Sequence, residues 1–236
     1  MKRSRRYQGA ATLVDPVAAY SIDEGLEKMK ATATAGFDET AEVAIALGIK
    51  ASQVVVRGTC NLPHGTGKSV RVLAFAKGAS VAEAEEAGAD YVGGEDLAKR
   101  IQEGWFEFDK IVATPDMMPI VGKLGRLLGP RGLMPSPKSG TVTKDIGRVI
   151  GELKRGMIEY RSDRYGVIHT VFGKVSFDLP ALKENLIAVI RSIAERRPEE
   201  GVKGRYMKKV TIASTMGPGI TLDLDEINGL IEEGTG

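Results

Sequence analysis

Two glycine-rich segments that carry cations are the first candidates for chemistry in this chain. His64-Gly65-Thr66-Gly67-Lys68-Ser69 has the look of a phosphate-binding loop. Such a loop needs a glycine, four residues, then Gly-Lys-Ser/Thr, set between a strand and a helix whose first N–H groups hold the phosphates. Here the first glycine would fall at Leu62, and the run that follows, 70–76, is apolar and strand-like. The spacing argues against a nucleotide-hydrolysing enzyme and for a hinge. Gly65 and Gly67 permit the backbone angles of a crossover, with Lys68 as a further candidate phosphate contact. The second segment, 122–140, sets Lys123, Arg126, Arg131 and Lys138 among glycines and prolines. It reads either as a rigid cationic loop for an RNA backbone or as a structural loop ordered by its prolines.

Nothing assembles an enzyme. His64 and His169 are the only histidines, and neither has a nucleophile and an orienting carboxylate beside it in sequence. Cys60 is the one cysteine, on a predicted strand with apolar neighbours, where a small core residue is expected. A single cysteine supplies neither a disulfide framework nor a zinc site, so no metal or cofactor is expected, and the chain suits a reducing cytosol.

Two short segments suit nucleic acid. Aromatics make up only 6% of the chain, so Phe37, between Gly36 and Asp38-Glu39-Thr40, stands out. It can stack on a splayed base, contributing about 1–3 kcal/mol, or staple the following element as an apolar cap. Ser214-Thr215-Met216-Gly217-Pro218-Gly219 joins two predicted strands. Its hydroxyls can bond phosphate or the ribose 2′-OH, Met216 can lie on a sugar face, and Gly217 lets a backbone approach. The alternative is an ordinary Gly-Pro-Gly turn.

The chain has 236 residues, 42% apolar and 27% charged, enough for two modest domains with packed cores. Net charge is only +2, but Asp223, Asp225, Glu226, Glu232 and Glu233 gather in one acidic tail, leaving the rest more cationic. No apolar run approaches the ~18 residues of a membrane span. The basic start, Met1-Lys2-Arg3-Ser4-Arg5-Arg6, is followed by Gln8, Gly9, Asp15 and Pro16, so no secretory apolar core forms. It reads as an exposed arm or a plain solvated terminus.

The elements that must position these residues follow from periodicity. A helix is expected over 21–33, capped by Ser21 with Glu24 as its box partner. Residues 40–47 fit strand or helix, and 54–63 a strand entering a turn. From 68 the texture changes: strands at 70–76, 90–92 and 110–113 alternate with helices at 80–87, 95–103, 116–128 and 144–155, a doubly wound α/β pattern. Then 158–162 and 167–172 flank Asp163-Arg164-Tyr165-Gly166 as an expected β-hairpin. A long amphipathic helix over 178–197 carries Leu182, Leu186, Val189, Ile190 and Ile193 on one face. Strands at 206–213 and 220–224 close the chain. The expected fold is mixed α/β and α+β: a split α+β domain from both termini, 1–67 plus 157–236, with a three-layer Rossmann-like α/β domain inserted at 68–156.

Several long, ordered blocks resemble the L-one family of bacterial large-subunit ribosomal proteins. They are Phe37-Asp38-Glu39-Thr40; Asn61-Leu62-Pro63-His64-Gly65-Thr66-Gly67-Lys68; residues 85–94, Glu-Glu-Ala-Gly-Ala-Asp-Tyr-Val-Gly-Gly; residues 124–135, Leu-Gly-Arg-Leu-Leu-Gly-Pro-Arg-Gly-Leu-Met-Pro; and Ser214-Thr215-Met216-Gly217-Pro218. The resemblance implies a non-enzymatic cytoplasmic ribosome component without cofactor. It implies binding of large-subunit ribosomal RNA at the mobile stalk, contact with exit-site tRNA to assist its release, and repression of its own operon mRNA. Carried over residue by residue, it implies RNA contacts at Phe37, Thr40, Thr215, Met216 and Gly217, and weaker ones at His169, Lys174 and Ser214. Three features depart from the family pattern: Gly36 where it carries lysine, Thr170-Val171 where it shows Ala-Pro after the histidine, and a longer acidic tail.

Overall fold

The computed structural model describes residues 3–51 and 53–233, which divide into two compact units. The first holds the described residues up to Gly67 and those from Ile158 onward; the second is Lys68–Met157.

The first unit is built on β1 (Thr40–Ile49), where Ala41, Val43, Ile45 and Leu47 point inward. This period-two alternation is the mark of a half-buried strand and resolves the strand-or-helix ambiguity. β1 is flanked antiparallel by β7 (Val167–Lys174) and β8 (Val202–Ser214), and β9 (Ile220–Thr221) pairs with β8, giving the order β7-β1-β8-β9. Two helices furnish the core. α2 (Ile22–Thr32) starts where Ser21 Oγ accepts the Glu24 amide at 3.3 Å, and buries Ile22, Leu26 and Met29. α8 (Leu179–Glu195) buries the expected stripe of Leu182, Leu186, Val189, Ile190 and Ile193, each stabilising the fold by about 1.5–3 kcal/mol through burial of its apolar surface.

Sequence and structure differ at three places in this unit. The segment 163–166 does turn: Asp163 Oδ1 accepts the Tyr165 and Val167 amides, each at 2.8 Å. The flanking strands nevertheless form no hairpin beyond one bridge, Ser162 to Ile168. β6 (Met157–Arg161) pairs with β2 (Arg57–Asn61) in a separate two-stranded sheet, while β7 pairs with β1. The long alternating face of β1 offers Ile168 and Thr170 an inward register opposite Ile45 and Val43, and buried pattern outweighs a local turn in fixing register. The closing strand stops at Thr221, and residues 224–233 are a helix, α9 (Leu224–Glu233), whose Ile227 is buried and whose Glu226 Oε2 accepts the Ile22 amide at 3.0 Å. The basic start is likewise helical from Arg5: α1 (Arg5–Ala11) is capped by Ser4 Oγ accepting the Tyr7 amide at 3.3 Å, while Met1 and Lys2 lie outside the described residues.

The second unit centres on β3 (Val72–Phe75), buried along its whole length and paired in parallel with β4 (Tyr91–Gly93) and β5 (Lys110–Ala113). Its alternate residues serve two cores. Val72 and Ala74 pack with α3 (Ala79–Glu86) and α7 (Ile146–Arg155); Leu73 and Phe75 pack with α4 (Glu95–Gln102) and with α5 and α6 (Met118–Lys123 and Gly125–Leu128). A parallel strand covered on both faces must read as a continuous apolar run. The helix expected over 116–128 is broken into a 3₁₀ turn, Pro115–Met117, and the short α5 and α6, with Pro119 in the first turn of α5 and Gly125 opening α6.

Candidate nucleic-acid interface

Three strands of the first unit terminate at one edge of the sheet. β1 begins there with Thr40, opposite Lys174 at the end of β7, and Ala41 pairs with Ser214 at the end of β8. The loops carrying Phe37 and Met216 therefore lie side by side. Thr215 accepts the Thr40 amide on Oγ1 at 2.9 Å and returns its own amide to the Thr40 carbonyl at 3.1 Å. Lys174 Nζ donates to Thr40 Oγ1 at 2.9 Å and to the Asp38 carbonyl at 3.2 Å. A hydroxyl that accepts from an ammonium keeps its own proton to donate, so Thr40 is set as a donor.

Glu39 holds the two loops together. Its side chain is buried, with Oε1 accepting the Ala35 amide at 2.9 Å and Oε2 the Met216 amide at 2.8 Å. Burial alone would push its carboxyl up; the two amides, then the Ser214 hydroxyl and last the Arg6 charge, outweigh burial and hold it below the ordinary value. Asp38 is fixed by Ser176, whose amide and hydroxyl donate to its two oxygens at 3.1 and 2.9 Å. Gly217 closes the turn by donating its amide to the Ser214 carbonyl at 3.0 Å, and a Cβ there would stand 2.5 Å from Ser214 Oγ.

What this edge presents is set by what stays outside. Phe37 is 57% exposed and Met216 47%, so Phe37 is no buried staple. Thr215 is exposed, whereas Ser214 is buried, its side chain directed toward the sheet's core face. His169 lies apart. It pairs with Ala44 on the open sheet face, four residues along β1 from Thr40, about 13 Å at strand rise. There it borders a shallow groove of about 320 Å³ floored by Ala44, Val171, Thr211 and Ala213. The edge thus joins Phe37, Thr40, Lys174, Thr215, Met216 and Gly217, and leaves His169 outside.

The crossover residues Gly65 and Gly67 have φ of 68° and 73°, in the left-handed region that glycine tolerates. The buried Asn185 amide accepts the His64 N–H at 3.0 Å and donates to the Gly65 and Phe172 carbonyls at 3.0 and 2.9 Å. A Cβ on Gly67 would meet Lys174 Cγ at 2.7 Å. The segment 64–69 is followed by strand, so no helix N-terminus stands behind it. In the second unit, Arg131 lies 3.8 Å over the Phe106 ring, committing one cation of the 122–140 cluster to packing. Burial pushes the Cys60 thiol up, which makes it a core residue and a poor nucleophile. Among the described residues no three His, Cys, Asp or Glu side chains gather to hold a metal, and no helix is long and apolar enough to cross a membrane.

Three residues that matter here were missed as site residues: Glu39, Asn185 and Arg6. Asn185 had a signal, being a lone amide on the apolar stripe of α8. Glu39 and Arg6 had none, because their roles depend on partners distant in sequence.

A sequence model described as the ribosomal protein L1p/L10e family matches residues 29–218. Among curated proteins, the chain is 52% identical to the large ribosomal subunit protein uL1 of Thermobifida fusca over 226 residues, 94% of this chain and 95% of that one. It is 53% identical to the protein of the same name from Fervidobacterium nodosum over 227 residues, 95% and 96% of the two chains.

Proposed function

Because the chain belongs to the ribosomal protein L1p/L10e family, we propose that it is a structural, non-enzymatic constituent of the large ribosomal subunit that grips ribosomal RNA with the sheet edge of its first unit. The observation that carries this reading is the Glu39 latch. A buried carboxylate spends both oxygens on joining two loops whose outward residues, Phe37, Thr40, Thr215 and Met216, are an aromatic, two hydroxyls and a thioether. That set suits folded RNA: a ring for a base, hydroxyls for ribose and phosphate, and a flat apolar side chain for a sugar. Lys174 supplies positive charge behind Thr40.

The RNA is large-subunit ribosomal RNA at the mobile stalk near the tRNA exit site, and the protein works on cytoplasmic ribosomes. The finer roles belong to the same reading: contact with exit-site tRNA during its release, and repression of its own operon mRNA through a similar RNA fold. The architecture is read as a split α+β domain with an inserted three-layer Rossmann-like domain, pivoting at Gly65 and Gly67. His169 and Ser214 serve as outlying and supporting members of the surface. The test is a titration of stalk ribosomal RNA at several salt concentrations. Saturable binding that weakens as salt rises is expected; no binding overturns the reading.

A further inference from the structure

The loop at the Phe37 rim carries no positive charge of its own. Residues 33–40, Ala-Thr-Ala-Gly-Phe-Asp-Glu-Thr, hold two carboxylates and no cation. The neighbouring lysines keep their charge, but their ammonium groups are bonded within the protein, Lys174 to Thr40 and the Asp38 carbonyl and Lys30 to the Phe177 carbonyl. A polyanion laid across Phe37 needs positive charge on this side.

The charge comes from a part of the chain that lies outside the family match. α1 lies against α2, and its Arg6 Nη1 donates to Thr34 Oγ1 at 3.3 Å, three residues before Phe37. Among the described residues this is the one side-chain hydrogen bond of Arg6, and a guanidinium carries five N–H donors in a fork that matches phosphate. The same charge bears on Glu39. Arg5 is exposed beside it, and Arg3 is held 4.5 Å over the Tyr7 ring. Arg5 and Arg6 thus open a capped helix that packs on α2 near Phe37, and Arg3 lies just before its cap.

We propose that Arg6, supported by Arg3 and Arg5, is a phosphate-binding residue of the RNA interface, supplying at the Phe37 rim the cation that residues 33–40 lack. This rests on the RNA-binding reading above. Its ligand is a backbone phosphate, and the contact carries no base specificity.

The test measures affinity of the full chain for stalk ribosomal RNA across a salt series, for the parent, Arg6→Gln, Arg6→Lys, and Arg6→Gln combined with Gly36→Lys. Position 36 has nothing within 4 Å of a Cβ, so a lysine there can reach the same rim without disturbing the fold. Arg6→Gln keeps a polar stem for Thr34 but removes the charge. It is expected to weaken binding about 5–20-fold and to make log K against log salt shallower by about 0.7–0.9, one phosphate's worth of counterion release. Arg6→Lys and the Gly36→Lys combination are expected to recover that slope. An unchanged slope in Arg6→Gln, whether or not affinity falls, overturns the proposal, since a merely structural arginine would leave counterion release alone. Failure of Gly36→Lys to restore any slope also counts against it. If the parent itself does not bind, the RNA-binding reading falls and this one with it; if the parent binds and only the slope test fails, the interface stands without Arg6.

Discussion

Glu39 Oε2 accepts the Met216 amide at 2.8 Å across 177 positions of chain. Its other oxygen holds the Ala35 amide, so one carboxylate sets the spacing of both loops at the sheet edge. Removing that carboxylate with Glu39→Ala leaves two partly buried amides without acceptors, at a cost of about 1–3 kcal/mol. It should also weaken RNA binding, because Phe37 and Met216 lose their fixed separation. Urea denaturation and RNA titration on the same sample measure both effects.

The latch also sets a pH dependence. The folded carboxyl titrates below the ordinary glutamate value, so its contribution is fully present above about pH 4.3 and is lost as pH falls through the depressed folded value. Parent stability should therefore drop on acidification from about pH 5 toward pH 3 more steeply than that of Glu39→Gln, which has no proton to take up. Urea midpoints at a series of pH values give the comparison; parallel curves would mean the carboxylate is not the latch.

Met216→Glu should separate binding from folding. The side chain is 47% exposed and its backbone amide, not its thioether, meets Glu39. Stability should stay within about 0.5 kcal/mol of the parent, while RNA affinity collapses as a carboxylate faces the phosphates. A large fall in thermal midpoint would show that Met216 is a structural residue.

Two glycines of the first unit should behave oppositely. Gly67→Ala places a Cβ against Lys174 at a φ of 73°, and should cost about 1–3 kcal/mol and disturb Lys174. Gly36→Ala adds a methyl in open space and should be near neutral. Chemical unfolding of the two variants decides it.

Asn185→Ala tests the anchoring of the crossover. It strands the His64 amide and the Gly65 and Phe172 carbonyls, each at about 1–3 kcal/mol where water cannot reach. Hydrogen exchange should rise at His64 before it rises in the helices. Uniform exchange across the unit would place Asn185 in the general core and not at the crossover.

Where periodicity carried the information, the fold was legible. The stripe from Leu182 to Ile193 and the apolar run of β3 each announce a burial pattern that one element satisfies, whereas 40–47 fits strand or helix until the burial of Ala41, Val43 and Ile45 decides for strand. Partner choice was not legible. The turn at Asp163–Gly166 is real, yet β7 belongs to β1, because seven register pairs with a buried face outweigh one local turn. The acidic tail reads in sequence only as a concentration of negative charge, but Ile227 and Glu226 tie it to the core and to the start of α2. By type and loop chemistry alone, Phe37 and the 214–219 segment each keep a bland alternative, a staple and an ordinary turn, and it is the resemblance along the chain that selects them as candidate site residues. Glu39 was not legible, since a glutamate beside an aspartate gives no sign that its partner amide lies 177 positions away.

The central claim is that the Phe37 and Met216 loops form one RNA-gripping edge. Ultraviolet crosslinking in cells, with sequencing of the attached RNA and identification of the crosslinked peptides, tests it most directly. The account predicts enrichment of large-subunit stalk RNA, with crosslinks on peptides containing Phe37 and Met216. Crosslinks confined to the second unit, or no enrichment of ribosomal RNA, would contradict it.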